Sequence, residues 1–312
     1  MNRIFAIGET VLDVLFRDGQ PCKATPGGSM LNAAVTLGRL GTDIRFISEF
    51  GTDQVGGIVD RFLRDNGVNT THVYRHADAS TSVALAFMDG NSNASYQFYK
   101  PKPAVRLDVT LPEAGAGDYV LFGSFYALAD ETRKRIFPWI HAAGGRGALL
   151  LYDPNFRKPH LSSLEAVRPA LLENLQTAHI VRASDEDCRL LFGHADAGRI
   201  YREYLRPDQV FICTSGGTSI VCCTGGRTLE TVPPAVEHLT STIGAGDTFN
   251  AGLAHGLLRA GITRHTLSAQ PDGFWLRLMQ ESARFSAAVC ASEENYLPQQ
   301  TALACRQAAR PC

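Results

Sequence analysis

Strand-length apolar runs alternate with helix-length amphipathic runs along most of the chain, and this alternation limits the possible folds more than any other feature. The stretches "RIFAIGE", "IRFISEFG", "YVLFG", "ALLLYDPN", "HIVRAS" and "QVFICTSGG" read as buried strands, several with polar residues at their C-terminal ends. Between them, "SMLNAAVTLGRLG" (closed by Gly41 as a C-cap), "GGIVDRFLRDNG" (ending at Gly67), "ETRKRIFPWIHAAGG" and "EDCRLLFG" read as helices. Strands alternating with helices predict a parallel α/β sheet covered on both faces. In such sheets ligands bind beyond the carboxyl ends of the strands.

Two segments break the rhythm. Val11 to Gly28 and Ser80 to Lys100 alternate apolar and polar residues around Asp18-Gly19 and Asp89-Gly90, which are hairpin signals. They predict either a small second sheet that serves as a lid or simple surface hairpins.

Composition narrows the function classes. The chain has 312 residues, 45% hydrophobic and 20% charged, enough for one large α/β domain or two smaller ones. A net charge of −1 argues against a nucleic-acid surface or a polybasic membrane patch. No apolar run is long enough to predict a membrane span. The N-terminus carries Glu9 and Asp13 and reads as a first strand, not a signal peptide. Eight scattered cysteines without C-x-x-C spacing predict reduced thiols and a cytoplasmic protein, with Cys222 and Cys223 on two faces of one strand. Nine histidines without H-E-x-x-H spacing argue against a zinc enzyme. There is no P-loop and no G-x-S-x-G elbow, and Phe249 stands where a dinucleotide fingerprint needs its third glycine.

The remaining motifs sit at strand exits or helix starts. In "TIGAGDTF", Gly244 and Gly246 let a ligand approach the main chain, and a helix starting near Gly246 would offer free N–H groups to an anion. Asp247 could accept a proton from an attacking hydroxyl, although on the local pattern a first-turn acid serving the helix dipole is the stronger reading. Gly27 and Gly28 lead into a helix carrying Asn32, whose amide could bond hydroxyls, as could Asp13. Asp153, Asn155 and Arg157 would share one side if extended, and Arg157 could neutralise phosphate. Ser184, Asp185, Glu186 and Asp187 could hold Mg²⁺ through water, but an N-cap with first-turn acids fits the local pattern better. Thr214 to Gly217 suits a nucleotide phosphate or a plain loop equally.

Six motifs in order give the chain a family likeness. "GETVLD" (Gly8 to Asp13), "GGSMLNAA" (Gly27 to Ala34), "GTDQVG" (Gly51 to Gly56), "DPNFR" (Asp153 to Arg157), "SDED" (Ser184 to Asp187) and "IGAGDTF" (Ile243 to Phe249) resemble the PfkB (ribokinase-like) carbohydrate kinases over essentially the whole chain. The last matches the family's D-T-x-G-A-G-D signature, the most specific of the set. The resemblance implies a three-layer α/β/α fold with a mostly parallel central sheet. It implies one kinase domain over residues 1–312, with lid segments at about 11–26 and 80–104. It also implies transfer of the γ-phosphoryl group of ATP, with Mg²⁺, to a hydroxyl of a small sugar.

The roles implied by the resemblance follow residue by residue. Asp247 is the catalytic base, the amides of Gly244, Ala245 and Gly246 form an anion hole, and Arg157 serves the transferred phosphoryl group. Asp13, Gly27, Gly28, Asn32 and Asp153 hold the sugar, whose reacting hydroxyl Asp247 also contacts. Asn155, Ser184, Thr214, Gly216, Gly244 and Gly246 serve the nucleotide, and Asp187 serves Mg²⁺ through water. Ser241 replaces the signature's leading Asp, an acid that often belongs to a monovalent-cation site in relatives, so potassium dependence is left open. "SEENYLP" (Ser292 to Pro298) replaces the small-residue step near the adenine pocket, so no adenine contacts are assigned. The "GE" opening and the Ser-x-x-acid form look most like fructokinases. Kinases of 2-keto-3-deoxygluconate, ribose, nucleosides or sugar phosphates, and a sugar sensor without turnover, are the alternatives. Relatives often pair through their lids, which implies a homodimer.

Overall fold

The computed structural model describes residues 2–88 and 94–308. In chain order its elements begin with β1 (Ile4–Ile7), β2 (Val11–Arg17), β3 (Gln20–Gly27), α1 (Ser29–Arg39), β4 (Ile44–Gly51), α2 (Gln54–Asp65) and β5 (Val73–His76). Next come β6 (Val83–Met88), β7 (Ala94–Tyr99), β8 (Tyr119–Gly123), α3 (Asp130–Gly145), β9 (Leu149–Asp153), α4 (Leu164–Thr177), β10 (Ile180–Ser184), α5 (Asp185–Phe192) and α6 (Ala197–Tyr204). The chain continues through β11 (Val210–Ser215), β12 (Ser219–Thr224), β13 (Arg227–Thr231), α7 (Ala245–Arg259), α8 (Asp272–Cys290) and α9 (Gln299–Ala308).

A nine-stranded sheet runs in the order β13-β12-β11-β10-β9-β8-β1-β4-β5. Its strands are parallel except where β12 pairs antiparallel with β11 and β13. Both faces are covered, and strand alternation sorts the side chains between two cores. Ile4, Ala6, Leu121, Leu151 and Ile212 pack on one side with α1, α7 and α8. Phe5, Ile7, Phe122, Tyr152 and Phe211 pack on the other with residues of α3, α4, α5 and α6. Cys222 and Cys223 divide in the same way, one into each core, as expected of two faces of a strand. The seven described cysteines are free thiols. No helix among the described residues is long and apolar enough to cross a membrane.

The two irregular segments form a separate four-stranded sheet, β3-β2-β6-β7. Asp18 and Gly19 turn between β2 and β3 with φ of 51° and 74°, the left-handed pair that a two-residue hairpin needs. The Asp89-Gly90 turn lies outside the described residues. This sheet leaves the large one at the carboxyl end of β1. There the order reverses, because β4 lies on one side of β1 and β8 on the other. That switch point is where an open α/β sheet presents a crevice.

Candidate active site

Asp247, in the first turn of α7, is an acid of this crevice buried to 5% relative exposure. Ser29 donates its hydroxyl to Asp247 Oδ1 at 2.6 Å, and Asn32 donates its amide to Oδ2 at 2.8 Å. Asn155 Nδ2 lies 3.4 Å from Oδ1. Burial drives the Asp247 carboxyl above its ordinary value, against the pull of Ser29, Asn32 and the Arg157 charge. A buried acid raised in this way is suited to take a proton. The other amide atom, Asn32 Oδ1, is buried without a partner, an acceptor that the fold does not satisfy.

Sequence reading starts this helix near Gly246, but the structure starts it at Ala245, with Gly244 as the N-cap. Gly244 has φ of 81°, and a Cβ there would lie 1.9 Å from the Asn295 carbonyl oxygen. No side chain caps the helix, so apart from the Ala245 N–H, which reaches the Thr242 carbonyl at 3.3 Å, its first-turn N–H groups can meet an anion. Ser241, just upstream, accepts the Ile243 N–H at 3.1 Å.

Asp13 lies on β2 of the second sheet, paired with Thr25 and Ala84. Its carboxylate rests against Gly27, where a Cβ would meet Asp13 Oδ2 at 2.2 Å. Gly27 thus touches one acid while Ser29 and Asn32, at the start of α1, hold the other. The α1 N-terminus therefore stands between Asp13 and Asp247. Burial, then the neighbouring Glu9, pushes the Asp13 carboxyl up to about 6, with Lys100 opposing. Lys100 Nζ, just after β7, pairs with Glu9 Oε1 in the link between β1 and β2 at 2.7 Å, and Lys23 Nζ of β3 donates to the Glu293 carbonyl beyond α8 at 2.6 Å. Sequence reading missed Ser29, Glu9 and Lys100 as site residues. Ser29 could have been found as the hydroxyl directly after the glycine pair.

The strand-exit motifs meet here, but two of their acids face inward. Asp153 was expected to hold sugar, yet it is fully buried at 0% exposure. Its Oδ2 accepts from Arg182 at 2.9 Å and from Asn250 at 2.5 Å, and its Oδ1 accepts the Asn155 N–H at 2.9 Å. The shared side expected for Asp153, Asn155 and Arg157 is also corrected. Asn155 takes a left-handed φ of 38°, which ends the strand and turns its amide toward Asp247, while Arg157 stays exposed. Asp187 forms the capping box of α5 with Ser184, the reading its local pattern favoured. Its oxygens accept from the Ser184 N–H, the Ser184 hydroxyl and the Phe156 N–H. Burial, then Asp153, raises its carboxyl. Thr214 turns its hydroxyl to Arg182, and Gly216 lies in the turn between β11 and β12.

The residues present fit a triphosphate better than a caged metal. The uncapped α7 N-terminus and the exposed Arg157 offer amides and a cation to phosphate. Among the described residues, no group of three or more His, Cys, Asp or Glu side chains could hold a metal ion. Mg²⁺ keeps several waters and binds largely through substrate phosphates, so it fits here as an ion carried by the nucleotide.

Comparison with known proteins agrees with this arrangement. Residues 1–288 match the family described as pfkB family carbohydrate kinase. Fructokinase of Escherichia coli is 29% identical over 98% of this chain and 97% of its own length. Aminoimidazole riboside kinase from Salmonella enterica, complexed with aminoimidazole riboside and an ATP analog, has a TM-score of 0.83 at 21% identity, covering 98% of this chain and 100% of that one. Fructokinase from Vibrio cholerae O395, in its fructose, ADP and calcium ion bound form, has a TM-score of 0.82 at 22% identity, covering 97% of this chain and 98% of that one. The two solved structures share the ribokinase-like fold with this chain, and the match over residues 1–288 shows that the chain belongs to the pfkB family of carbohydrate kinases, phosphotransferases with a hydroxyl acceptor.

Proposed function

We propose that this carbohydrate kinase transfers the γ-phosphoryl group of ATP to a hydroxyl of a small free sugar, with fructose as the first candidate. The observation that carries the reading is Asp247, buried, raised, and held by Ser29 and Asn32 at the uncapped start of α7. In this reading Asp13 and Asn32 hold the sugar hydroxyls beneath the second sheet, which acts as a lid. Asp247 takes the proton of the attacking hydroxyl. The amides of Gly244, Ala245 and Gly246, with Arg157, stabilise charge on the moving phosphoryl group. Mg²⁺, when bound on the nucleotide, neutralises phosphate charge. Ser241, whose hydroxyl accepts the Ile243 N–H, brings no carboxylate to a monovalent-cation site in this reading.

The likeness to Escherichia coli fructokinase, 29% identical over 98% of the chain, supports fructose as acceptor. A coupled ADP-release assay across fructose, ribose, 2-keto-3-deoxygluconate, aminoimidazole riboside and sugar phosphates tests it. Fructose is expected to give the highest kcat/KM. A higher value for any other acceptor overturns fructose and leaves kinase chemistry standing, while no ADP release with any acceptor sinks the catalytic reading.

The second sheet also supports pairing between copies of the chain. Alternation along β2 and β6 places Phe16 and Phe87 on the face opposite Asp13, where their rings stack at 5.0 Å. Phe87 is 37% exposed, and Tyr99, whose register partner is Val83, is 50% exposed. The parent protein is expected to sediment as a dimer and the Phe87→Glu Tyr99→Glu double variant as a monomer. A monomeric parent contradicts the pairing.

A further inference from the structure

Arg182 is the one arginine in the apolar run of β10, and its side chain keeps only 9% relative exposure. Nη1 donates to Asp153 Oδ2 at 2.9 Å, and Nη2 donates to the Thr214 hydroxyl at 2.5 Å. The guanidinium lies 5.7 Å from the Phe249 ring centroid, so it reaches under α7. A Cβ placed on Gly246 would stand 2.7 Å from Nη1 and 3.1 Å from Nη2. A side chain at the second glycine of the cradle would therefore press on the guanidinium beneath it. Asp153, the acid that holds Arg182, also holds Asn250 of α7 and the Asn155 N–H. One buried fork thus joins the exits of β9, β10 and β11 to the first turns of α7.

Burial works against the Arg182 charge, but Asp153 and Asp187 outweigh it and hold the guanidinium above its ordinary value, with Asp247 adding to the effect. The cation is therefore present whenever the enzyme works. Replacing a buried ion pair by apolar groups is often neutral or stabilising, so stability alone is a weak reason for this one. Its position under the anion-binding turn is a better reason.

We propose that Arg182 is a positioning residue for phosphoryl transfer: through Gly246, Asp153 and Asn250 it sets the first turns of α7, and with them the anion-binding amides and Asp247, without touching either substrate. This rests on the reading that Asp247 and the α7 amides carry the reaction. Positioning matters at this level because a displacement of about 1 Å can lower a rate on the order of 10²-fold.

Arg182→Lys keeps a charge beside Asp153 but cannot bond Asp153 and Thr214 through two nitrogens while filling the space beneath Gly246. Its kcat is expected to fall about 10²-fold, with the dissociation constant for sugar, measured by calorimetry without nucleotide, within about twofold of the parent's. Arg182→Met Asp153→Asn removes cation and acid together, so the test does not depend on a variant with an unpaired buried charge. In that double variant kcat is expected to fall by a similar factor, with sugar affinity again within about twofold of the parent's. A purely structural role would weaken sugar binding and kcat together. Parent-like kcat in either variant, or a matching loss of sugar affinity, overturns the proposal. Asp247→Asn is assayed alongside. Near-normal turnover there overturns the reading beneath the proposal, whereas lost turnover there with an unimpaired Arg182→Lys overturns the role of Arg182 alone.

Discussion

Asp247→Asn is expected to lower kcat by about 10²- to 10⁴-fold, the range that a positioned general base contributes, while sugar affinity changes little. The substitution removes proton acceptance and the long Asn155 contact to Oδ1. The new amide can present its oxygen to the Asn32 donor and its nitrogen to Ser29, whose hydroxyl can reverse and accept. The fold should therefore survive, and its stability should not fall. The sign follows from the raised carboxyl. Because the folded state binds the Asp247 proton more tightly than the unfolded chain does, an ionised Asp247 opposes folding above its ordinary value of 3.8. Any stability advantage of the variant is thus present at neutral pH and disappears as the pH falls toward that value. Stopped-flow turnover, calorimetric sugar binding and thermal unfolding against pH measure the three effects. Near-normal turnover would sink the assignment of Asp247 as base.

Asp13→Ala is expected to raise the KM for sugar on the order of 10²-fold, since hydrogen bonds to a charged group contribute about 1.5–3 kcal/mol each, with a smaller change in kcat. Asp13 meets hydroxyls as an ionised acceptor, and burial lifts its carboxyl to about 6. In the free enzyme kcat/KM should therefore decline as the pH falls through about 6. Asp13→Asn should remove the part of that decline that belongs to sugar binding and leave the part that belongs to Asp247. An acid limb unchanged in Asp13→Asn, or a KM in Asp13→Ala within about twofold of the parent's where the lost bonds predict far more, would show that Asp13 does not hold the sugar.

Much of the architecture was legible because it is written in local periodicity. Apolar runs of strand length marked β1, β4, β8, β9, β10 and β11, and Asp18-Gly19 marked the hairpin of the second sheet. The site was legible chiefly through its motifs. Asp247 alone reads as a first-turn acid, and only the motifs accompanying it favoured a base. Its partners Ser29 and Asn32 are 218 and 215 residues away in sequence, a separation that no local pattern reports.

The sequence by itself determined the parallel α/β plan, the two segments that break it, the family likeness and the strand ends where polar residues gather, because two- and 3.6-residue periods and glycine positions are local properties. The tertiary structure alone decided which of those polar residues face the crevice and which face each other. Asp153 turns inward to Arg182 and Asn250, and Asp187 adds the Phe156 N–H to its local capping box, leaving Asp13 on the second sheet and Asp247 on α7 to frame the site. The same packing gave the glycines their reasons, with Asn295 against Gly244, Asp13 against Gly27 and Arg182 against Gly246. A buried charge must find its partner across the fold, and that partner is set by packing, not by spacing along the chain.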